Sequence, residues 1–296
     1  MRVLITGGNG FLGSSLVRFF LKEHDVLVIS KNNNNILDII DKIQYINTFN
    51  KNSIKQFQPE IVIHCGWSGG NSYKAINSLD QFHDNVGPSI NLLKILSKLH
   101  NKPKFIGFGT FLEYGHHFSQ RKEDDIENPK DLYGLSKNTF KNYSKMLCNQ
   151  YNLKWVWIRP CYIYGPGDVD TRLIPSLINK FIKNEEVNLD KCEKLIDYLY
   201  IDDFVNFLYL LIISDSEGIY NICSGEKYKL KEIINKIHKI SKSKSKINFD
   251  PKLNRNLASP CVIGNNNKIK TITGFNPKIK IEKGLLNTIN YYKNIK

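Results

Sequence analysis

Two short stretches of the sequence carry side chains that could move protons. Residues 109–117, GTFLEYGHH, hold a hydroxyl, a carboxylate, a phenol and two imidazoles directly after an apolar run. Tyr133 and Lys137 follow in a segment with helical periodicity, and their spacing places phenol and ammonium on one helical face. A tyrosine keeps its proton until about pH 10, and a neighbouring ammonium favours the phenolate. The spacing alone permits a catalytic pair, but any amphipathic helix can carry a surface Tyr–Lys pair at the same spacing.

A glycine-rich loop near the start of the chain could bind a pyrophosphate. Residues 2–6, RVLIT, predict a strand, and residues 11–23 carry apolar positions at helical spacing. Glycines at every third position permit a tight turn and a close approach of phosphate to the helix N-terminus. A plain glycine-rich turn is the alternative. The residues expected to contact a dinucleotide here are Gly7, Gly10, Phe11, Leu12 and Gly13.

The end of the second predicted strand bears on the choice of nicotinamide cofactor. An acidic residue there would bond the ribose 2′-hydroxyl of NAD. The strand DVLVIS instead ends at Ser30 and continues into Lys31 and Asn32, so a hydroxyl, an ammonium and an amide take that place. These groups suit a 2′-phosphate. We therefore expect NADP(H), with NAD(H) as the alternative.

The elements that must position these groups alternate between strands and helices. Near-continuous apolar strands between amphipathic helices predict an α/β fold, a Rossmann-type doubly wound parallel sheet covered on both faces. We expect a dinucleotide-binding domain over 1–165 and a smaller C-terminal α/β substrate lobe over 166–296, with the chain returning to the first domain near 195–223. The predicted strands span 2–6, 25–30, 58–66, 103–110 and 154–160, and the predicted helices 11–23, 85–99, 133–151, 173–183 and 230–242, with a strand entering a helix over 196–212.

The composition limits the partners and the compartment. The 296 residues carry a formal charge of +14, from 42 basic and 28 acidic residues. No basic run is interleaved with aromatic residues, so we expect no nucleic-acid partner, although the charge would favour a phosphate-bearing ligand. The sequence has no apolar run long enough to predict a membrane span, and its first residues lack the features of a secretory signal. The six cysteines form no C-x-x-C motif, which predicts reduced thiols in a cytoplasmic protein and no metal site.

Several motifs together resemble the extended short-chain dehydrogenase/reductases, the NAD-dependent epimerase/dehydratase family that acts on nucleotide sugars. The resemblance covers nearly the whole chain. The matching segments are GGNGFLG at 7–13, NVGPSINLL from Asn85, the pair Tyr133 and Lys137, RP at 159–160, YGPG at 164–167, DYLYIDDF at 197–204 and YNICSGE at 220–226. One departure lies before Asp197, where the family usually has an arginine and this chain has Ile196.

The resemblance implies catalytic and cofactor-binding roles for particular residues. Thr110, Tyr133 and Lys137 correspond to the family's hydroxyl, phenol and ammonium, and a turn-forming role is the alternative for Thr110. The cofactor contacts expected beyond the glycine loop and residues 30–31 are Cys65, Gly66, Asn85, Tyr133, Lys137 and Pro160.

The resemblance also implies the substrate side and the assembly. The expected substrate is a nucleotide-diphosphate sugar, with Tyr162 and Arg172 as candidate contacts, although Arg172 could be a surface arginine. Glu113 could bond a sugar hydroxyl or simply face solvent. The helices at 85–99 and 133–151 resemble those of the family's four-helix dimer interface, so a homodimer is expected.

The residues after Thr110 narrow the reaction. The family's sugar 4,6-dehydratases carry an aspartate and a glutamate there, whereas this chain has Phe111 and Leu112, which cannot transfer protons. The cysteine that the GDP-fucose synthase type places in the Leu112 position is also missing. The resemblance thus implies hydride transfer at C4 of a nucleotide-linked deoxy or heptose sugar, a donor for surface polysaccharides. A 4-epimerase with tightly bound NAD is the alternative, and a non-catalytic NADP-binding protein is a third.

Overall fold

A seven-stranded parallel sheet is the central element of the molecule. The computed structural model describes residues 1–70, 73–253 and 261–295. The strands along these residues are β1 Arg2–Thr6, β2 Asp25–Ile29, β3 Gln44–Ile46, β4 Ile61–His64, β5 Lys104–Phe108, β6 Trp155–Pro160, β7 Tyr162–Tyr164, β8 Val187–Leu189, β9 Leu195–Ile196, β10 Tyr198–Tyr200, β11 Gly218–Ile222, β12 Tyr228–Lys229, β13 Ile247–Phe249 and β14 Cys261–Val262. The central sheet has the order β3-β2-β1-β4-β5-β6-β11. This order extends the 3-2-1-4-5-6 order of a dinucleotide-binding sheet and confirms the predicted doubly wound fold.

The central strands form where the sequence is apolar without alternation. Val3, Leu4 and Ile5 of β1 have no exposed surface, and every residue of β4 and β5 is buried. Strands in a parallel sheet are covered on both faces, so both sets of side chains must be apolar. The strands predicted at 2–6, 25–30, 58–66, 103–110 and 154–160 are confirmed, most of them with shorter spans.

Helices cover both faces of the sheet. They are α1 Phe11–Phe20, α2 Lys51–Phe57, α3 Tyr73–Ile76, α4 Asp80–Leu96, α5 Leu132–Gln150, α6 Leu173–Ile182, α7 Ile201–Ile213, α8 Leu230–Ser241, α9 Asn267–Thr273 and α10 Ile281–Asn294, with 3₁₀ segments at Asn34–Lys42 and Phe111–Tyr114. One hydrophobic cluster joins one sheet face to α1 and α7, and a second joins the other face to α2, α4 and α5.

The predicted helices are confirmed, apart from the start of α4. This helix begins at Asp80 rather than Asn85, so Pro88 lies inside it. Proline is common in the first turn of a helix, because the first N–H groups have no intrahelical partner. Gly87-Pro88 is therefore consistent with a helix start near Asn85, and residues 80–84 were not predicted to be helical.

Smaller sheets follow β6. They pair β7 with β10, β8 with β13, and β9 with β12 and β14, beside the packed helices α6, α8 and α10. Between them, β11 pairs in parallel with β6 and extends the central sheet. The division of the chain at residue 165 stays a prediction. None of the helices in the described part of the chain combines the length and the apolar character that crossing a membrane requires.

Candidate active site

The parallel sheet brings the predicted site residues to one edge. Thr6, Ile29 and His64 are in register across β1, β2 and β4, and each is the last residue of its strand. The loops that follow these strands therefore emerge together with the loop after β5. In doubly wound sheets, this carboxyl edge is where ligands bind.

The glycine loop after β1 has a backbone that leaves no room for side chains. Gly7 has a φ of +67°, and a Cβ there would lie 2.6 Å from the Cα of Gly66. A Cβ on Gly13 would lie 2.1 Å from the carbonyl oxygen of Gly7. Gly10 precedes α1 without a capping side chain, so the first N–H groups of the helix keep no capping partner. A loop this narrow beside an uncapped helix N-terminus fits a pyrophosphate.

The neighbouring residues are compatible with the same ligand. Phe11 and Leu12 open α1, and their N–H groups belong to its uncapped first turn. Ser30 and the exposed Lys31 follow β2 at the same edge, and the Ser30 carbonyl accepts a hydrogen bond from the Tyr45 hydroxyl at 2.6 Å. The cofactor contacts of these residues stay predictions.

Asparagines fix the loop after β2 to the glycine loop, which the sequence did not reveal. The Asn9 side-chain oxygen accepts the N–H of Asn35 at 2.6 Å, and the Asn9 carbonyl accepts the Asn35 side-chain amide at 2.7 Å. The Asn9 amide also donates to the side-chain oxygen of Asn32. The run of asparagines at 32–35 is therefore held next to Lys31 and the glycine loop.

Helix α5 presents the Tyr–Lys pair to the end of β5. The Asp131 carboxylate accepts the N–H of Gly134 at 2.7 Å and caps the helix. Lys137 is 3% exposed, and its Nζ donates to the Phe108 carbonyl at 2.6 Å. The same Nζ lies 5.7 Å from the centre of the Tyr133 ring. The lysine thus lies in the interior beside the phenol, which contradicts the alternative of a surface Tyr–Lys pair. The catalytic roles of both residues stay predictions.

Burial disfavours charge on both members of the pair. It lowers the pKa of Lys137 to about 7, while the charge of Glu113 acts in the opposite direction. Burial raises the pKa of Tyr133 to about 12, and the charge of Arg172 opposes this rise whereas Glu113 and Asp131 add to it. The ligand-free protein therefore holds a protonated phenol next to an ammonium that titrates near neutral pH.

Trp67 and Gly70, which follow β4, also lie beside the Tyr–Lys pair, and neither was predicted from the sequence. The Nζ of Lys137 lies 4.0 Å from the centre of the Trp67 ring, a cation–π contact. Gly70 lies against the phenol, because a Cβ there would come within 3.2 Å of the Tyr133 hydroxyl. The only sequence signal was that both residues follow a buried strand at the carboxyl edge.

Thr110 opens the 3₁₀ turn Phe111–Tyr114 that follows β5. Its hydroxyl accepts the N–H of Leu112 at 3.3 Å, so the predicted turn-forming role is present. Phe111 is 3% exposed and packs in a small apolar cluster with Tyr114. His117 is 2% exposed and hydrogen-bonds the Gly115 carbonyl. The catalytic role of Thr110 stays a prediction.

Glu113 is a correction to the sequence-based expectation. Both alternatives, a sugar contact and a solvent-facing carboxylate, are wrong, because Glu113 has no exposed surface. Its oxygens accept hydrogen bonds from the Thr110 N–H at 2.9 Å, from the Trp157 indole at 3.1 Å and from the Arg159 guanidinium at 2.8 Å. A carboxylate buried among these donors has no position left for a substrate.

The residues predicted to line the cofactor after β4 are bound to β1. The Cys65 thiol donates to the Thr6 carbonyl at 2.9 Å, and the Gly66 N–H donates to the Thr6 hydroxyl at 3.0 Å. His64 hydrogen-bonds the same hydroxyl at 2.7 Å and the Ser89 hydroxyl at 2.8 Å. Burial, with the charge of Lys137, lowers the pKa of His64 to about 3, so this imidazole stays neutral.

Asn85 lies inside α4 and holds the loop after β4. Its side-chain oxygen accepts the Ser68 N–H at 2.7 Å, and its amide donates to the Gln81 carbonyl at 2.9 Å. The side chain is 5% exposed. The structure gives Asn85 a positioning contact, and a direct contact with the cofactor stays a prediction.

The predicted substrate residues lie on elements beyond β6. Arg172 precedes α6, its side chain is 37% exposed, and it pairs with Asp168 at 3.2 Å. Tyr162 is 39% exposed, and its hydroxyl accepts from Lys194 at 3.1 Å. Pro160 ends β6. Arg172 thus lies at the start of α6 beside Asp168, whereas Tyr162 contacts Lys194 and Tyr198. The substrate contacts of both residues stay predictions.

Among the residues that the structure describes, one group of possible metal ligands lies next to Tyr162. The ligand atoms of Cys161, Asp197 and Cys223 lie within 4.8 Å of one another. The Asp197 oxygens already accept the Ser224 N–H and the Gly225 N–H, both at 2.8 Å. This carboxylate therefore has a structural role in shaping the loop after β11.

Curated relatives match nearly the whole chain. CDP-abequose synthase from Salmonella muenchen is 26% identical over 96% of this chain and 95% of its own length. GDP-6-deoxy-D-mannose reductase from Pseudomonas aeruginosa is 25% identical over 96% of this chain and 94% of its own length.

A solved structure and a family sequence model match as well. UDP-glucose 4-epimerase from Thermus thermophilus, in complex with NAD, superposes with a TM-score of 0.90 at 22% identity and covers 100% of both chains. That identity establishes the shared fold. The sequence model of the NAD-dependent epimerase/dehydratase family matches residues 3–223. The glycine loop, the sheet order and the Tyr–Lys pair agree with this match, and the chain belongs to the NAD-dependent epimerase/dehydratase family.

Proposed function

We propose that the protein is an NAD(P)H-dependent reductase or dehydrogenase acting at C4 of a nucleotide-linked deoxy or heptose sugar. The observation that carries the proposal is the turn after β5. Thr110 is followed by Phe111, which is buried in an apolar cluster, and by Leu112. The two positions between Thr110 and Glu113 therefore hold no acid or base. Elimination of water from a sugar needs such groups, whereas reduction of a ketone needs one proton donor.

Tyr133 and Lys137 would supply that proton. Lys137, held on the Phe108 carbonyl, places its ammonium beside the phenol and favours the phenolate that remains after proton transfer. The hydroxyl of Thr110 and the phenol of Tyr133 would hold the C4 oxygen. Tyr133 protonates this oxygen as its carbonyl is reduced. A bound nicotinamide would supply the hydride.

NADP(H) is the favoured cofactor. The exposed Lys31 and the hydroxyl of Ser30 stand where an NAD-specific enzyme would carry a carboxylate. A comparison of NADPH and NADH turnover tests the preference, and a clear preference for NADH would contradict it.

The substrate is proposed to be a nucleotide-diphosphate sugar. The relatives named above act on CDP- and GDP-linked sugars according to their names. Arg172 is the candidate phosphate contact, because its side chain is partly exposed and a guanidinium binds phosphate through charge-assisted hydrogen bonds. Lys194 and Tyr162 form a second polar pair near the turn between β9 and β10.

The protein is also proposed to be a homodimer, by analogy with its family, and to be cytoplasmic. Helices α4 and α5 expose large apolar side chains, among them Phe82 (55%) and Met146 (76%), which supports a homodimer through these helices. None of the six cysteines forms a disulfide, which supports a cytoplasmic location.

A panel of UDP-, GDP-, CDP- and dTDP-linked sugars and 4-keto sugars tests the proposal. NADPH absorbance reports net redox, and NMR of the products reports the configuration at C4. Oxidation of NADPH by a 4-keto sugar is the expected result. Copurified NAD and inversion at C4 without net redox would identify a 4-epimerase instead, and cofactor binding without turnover would identify a non-catalytic protein.

A further inference from the structure

Buried charges form a chain beneath the turn that carries Thr110. Arg159 has no exposed surface, and its guanidinium donates to Glu113 at 2.8 Å and to the Tyr114 hydroxyl at 2.8 Å. It also pairs with Glu127, whose carboxylate pairs in turn with Lys141 of α5. Two carboxylates and two cations thus alternate between β6, the turn and α5. Buried charges are costly unless each one is paired, and each charged group in this series contacts a group of opposite charge.

Among these charged residues, Glu113 is the one that contacts the backbone of Thr110. One oxygen accepts the Thr110 N–H at 2.9 Å and the Trp157 indole at 3.1 Å. Gly109 makes room for it, because a Cβ there would lie 2.2 Å from the same oxygen. The backbone direction at Thr110 therefore depends on where this carboxylate lies.

We propose that Glu113 is a positioning residue: its carboxylate orients Thr110 through the backbone N–H, and its negative charge maintains the ammonium of Lys137. The effect on turnover rests on the proposed function. The effect on Lys137 does not, because it is a property of the ligand-free protein.

The groups that face Lys137 leave Glu113 as its counter-charge. His64, at the end of β4, stays neutral, since burial and the charge of Lys137 lower its pKa to about 3. Burial raises the pKa of the Cys65 thiol to about 12, so this thiol is protonated at neutral pH. Tyr133, on the same helix, is protonated as well. The Glu113 carboxylate lies against Gly109, and the Lys137 ammonium donates to the carbonyl of Phe108, the residue before it. Among the described residues, Glu113 is therefore the carboxylate placed to act on this ammonium, and its charge opposes the effect of burial on the pKa of Lys137.

The test compares Glu113→Gln with Glu127→Gln as a matched control. Both variants remove one carboxylate from Arg159, but only Glu113 contacts Thr110 and acts on Lys137. NMR titration of the lysine side chains in the ligand-free full chain measures the pKa of Lys137, with its signal assigned from Lys137→Met. We expect Glu113→Gln to lower this pKa by about one pH unit or more, and Glu127→Gln to leave it in place. An unchanged pKa in Glu113→Gln, or an equal drop in both variants, would overturn the proposal.

A double variant covers the case in which Glu113→Gln does not fold. That variant leaves the Arg159 charge buried without one partner, which is destabilising. Glu113→Gln combined with Arg159→Met removes both charges, and the pKa of Lys137 should again be lower than in the wild type. A wild-type value in this variant would also overturn the proposal.

The kinetic measurement separates this inference from the proposed function. If the wild type reduces a 4-keto nucleotide sugar, Glu113→Gln should lower kcat about tenfold or more with little change in KM, and should move the alkaline limb of the kcat profile to lower pH. A wild-type kcat and limb would contradict it. If the wild type turns over no substrate, the proposed function fails, and the titration of Lys137 still decides the role of Glu113.

Discussion

At the scale of single residues, the proposed proton transfer depends on two side chains, Tyr133 and Lys137, whose neutral forms are favoured by burial. The pKa of Tyr133 rises to about 12, which suits a proton donor, because the phenol keeps its proton until the substrate oxygen becomes basic. The pKa of Lys137 falls to about 7, so its ammonium is only partly populated above neutral pH. The charge that favours the phenolate is therefore itself titratable.

This arrangement predicts a pH dependence. A lysine with a lowered pKa is charged below about pH 7 and neutral above it. If its charge is needed, kcat/KM for the cofactor, which reports on the free enzyme, should fall by up to about tenfold for each pH unit above that value. The profile is measured in constant-ionic-strength buffers with a stability control at each pH. A flat profile up to pH 9 would contradict the role of the ammonium.

At the scale of elements, the glycine loop and α1 form the proposed pyrophosphate site. Gly13→Ala should weaken cofactor binding about tenfold or more, because the new Cβ would lie 2.1 Å from the Gly7 carbonyl oxygen and would displace the loop. Gly87→Ala in α4 is the matched control, since a Cβ there meets nothing within 4 Å. Calorimetric titration with NADPH measures both. Equal affinity in Gly13→Ala and the wild type would show that the loop does not bind the cofactor.

What the sequence predicted at this scale follows from the range of the interactions. The glycine loop, the apolar strands and the Tyr–Lys spacing are local patterns, and the structure has each of them in the predicted element. Glu113 could not be predicted, because its partner Arg159 lies 46 residues away and meets it only when β5 and β6 pair. The contact between Lys137 and Trp67 likewise requires the fold. The glycine loop and the Tyr–Lys pair were therefore predictable, whereas Trp67 and the charges beneath the edge were not.

At the scale of the whole molecule, the formal charge of +14 has two interpretations. In the first, the charge comes from solvated lysines and only keeps the protein soluble. In the second, the charge also raises the local concentration of the anionic sugar nucleotide and dinucleotide. The exposed Lys31 and the partly exposed Arg172 lie at the carboxyl edge of the sheet or beside it, which favours the second effect.

Salt separates these interpretations. We expect kcat/KM for the anionic substrate to fall about threefold or more as NaCl is raised from about 20 mM to about 500 mM, because screening weakens long-range attraction. Unfolding temperatures over the same range serve as the control. A kcat/KM that does not change with salt would show that the charge serves solubility alone.

Tyr133 is proposed to protonate a sugar oxygen during nicotinamide-dependent reduction, and a single-turnover measurement isolates this step. Stopped-flow absorbance follows NADPH oxidation by a 4-keto nucleotide sugar in the wild type and in Tyr133→Phe, with the NADPH Kd of each measured separately. We expect the rate in Tyr133→Phe to be lower by about 10²–10⁴-fold, with a nearly unchanged Kd for NADPH. A near-normal rate in that variant would contradict it.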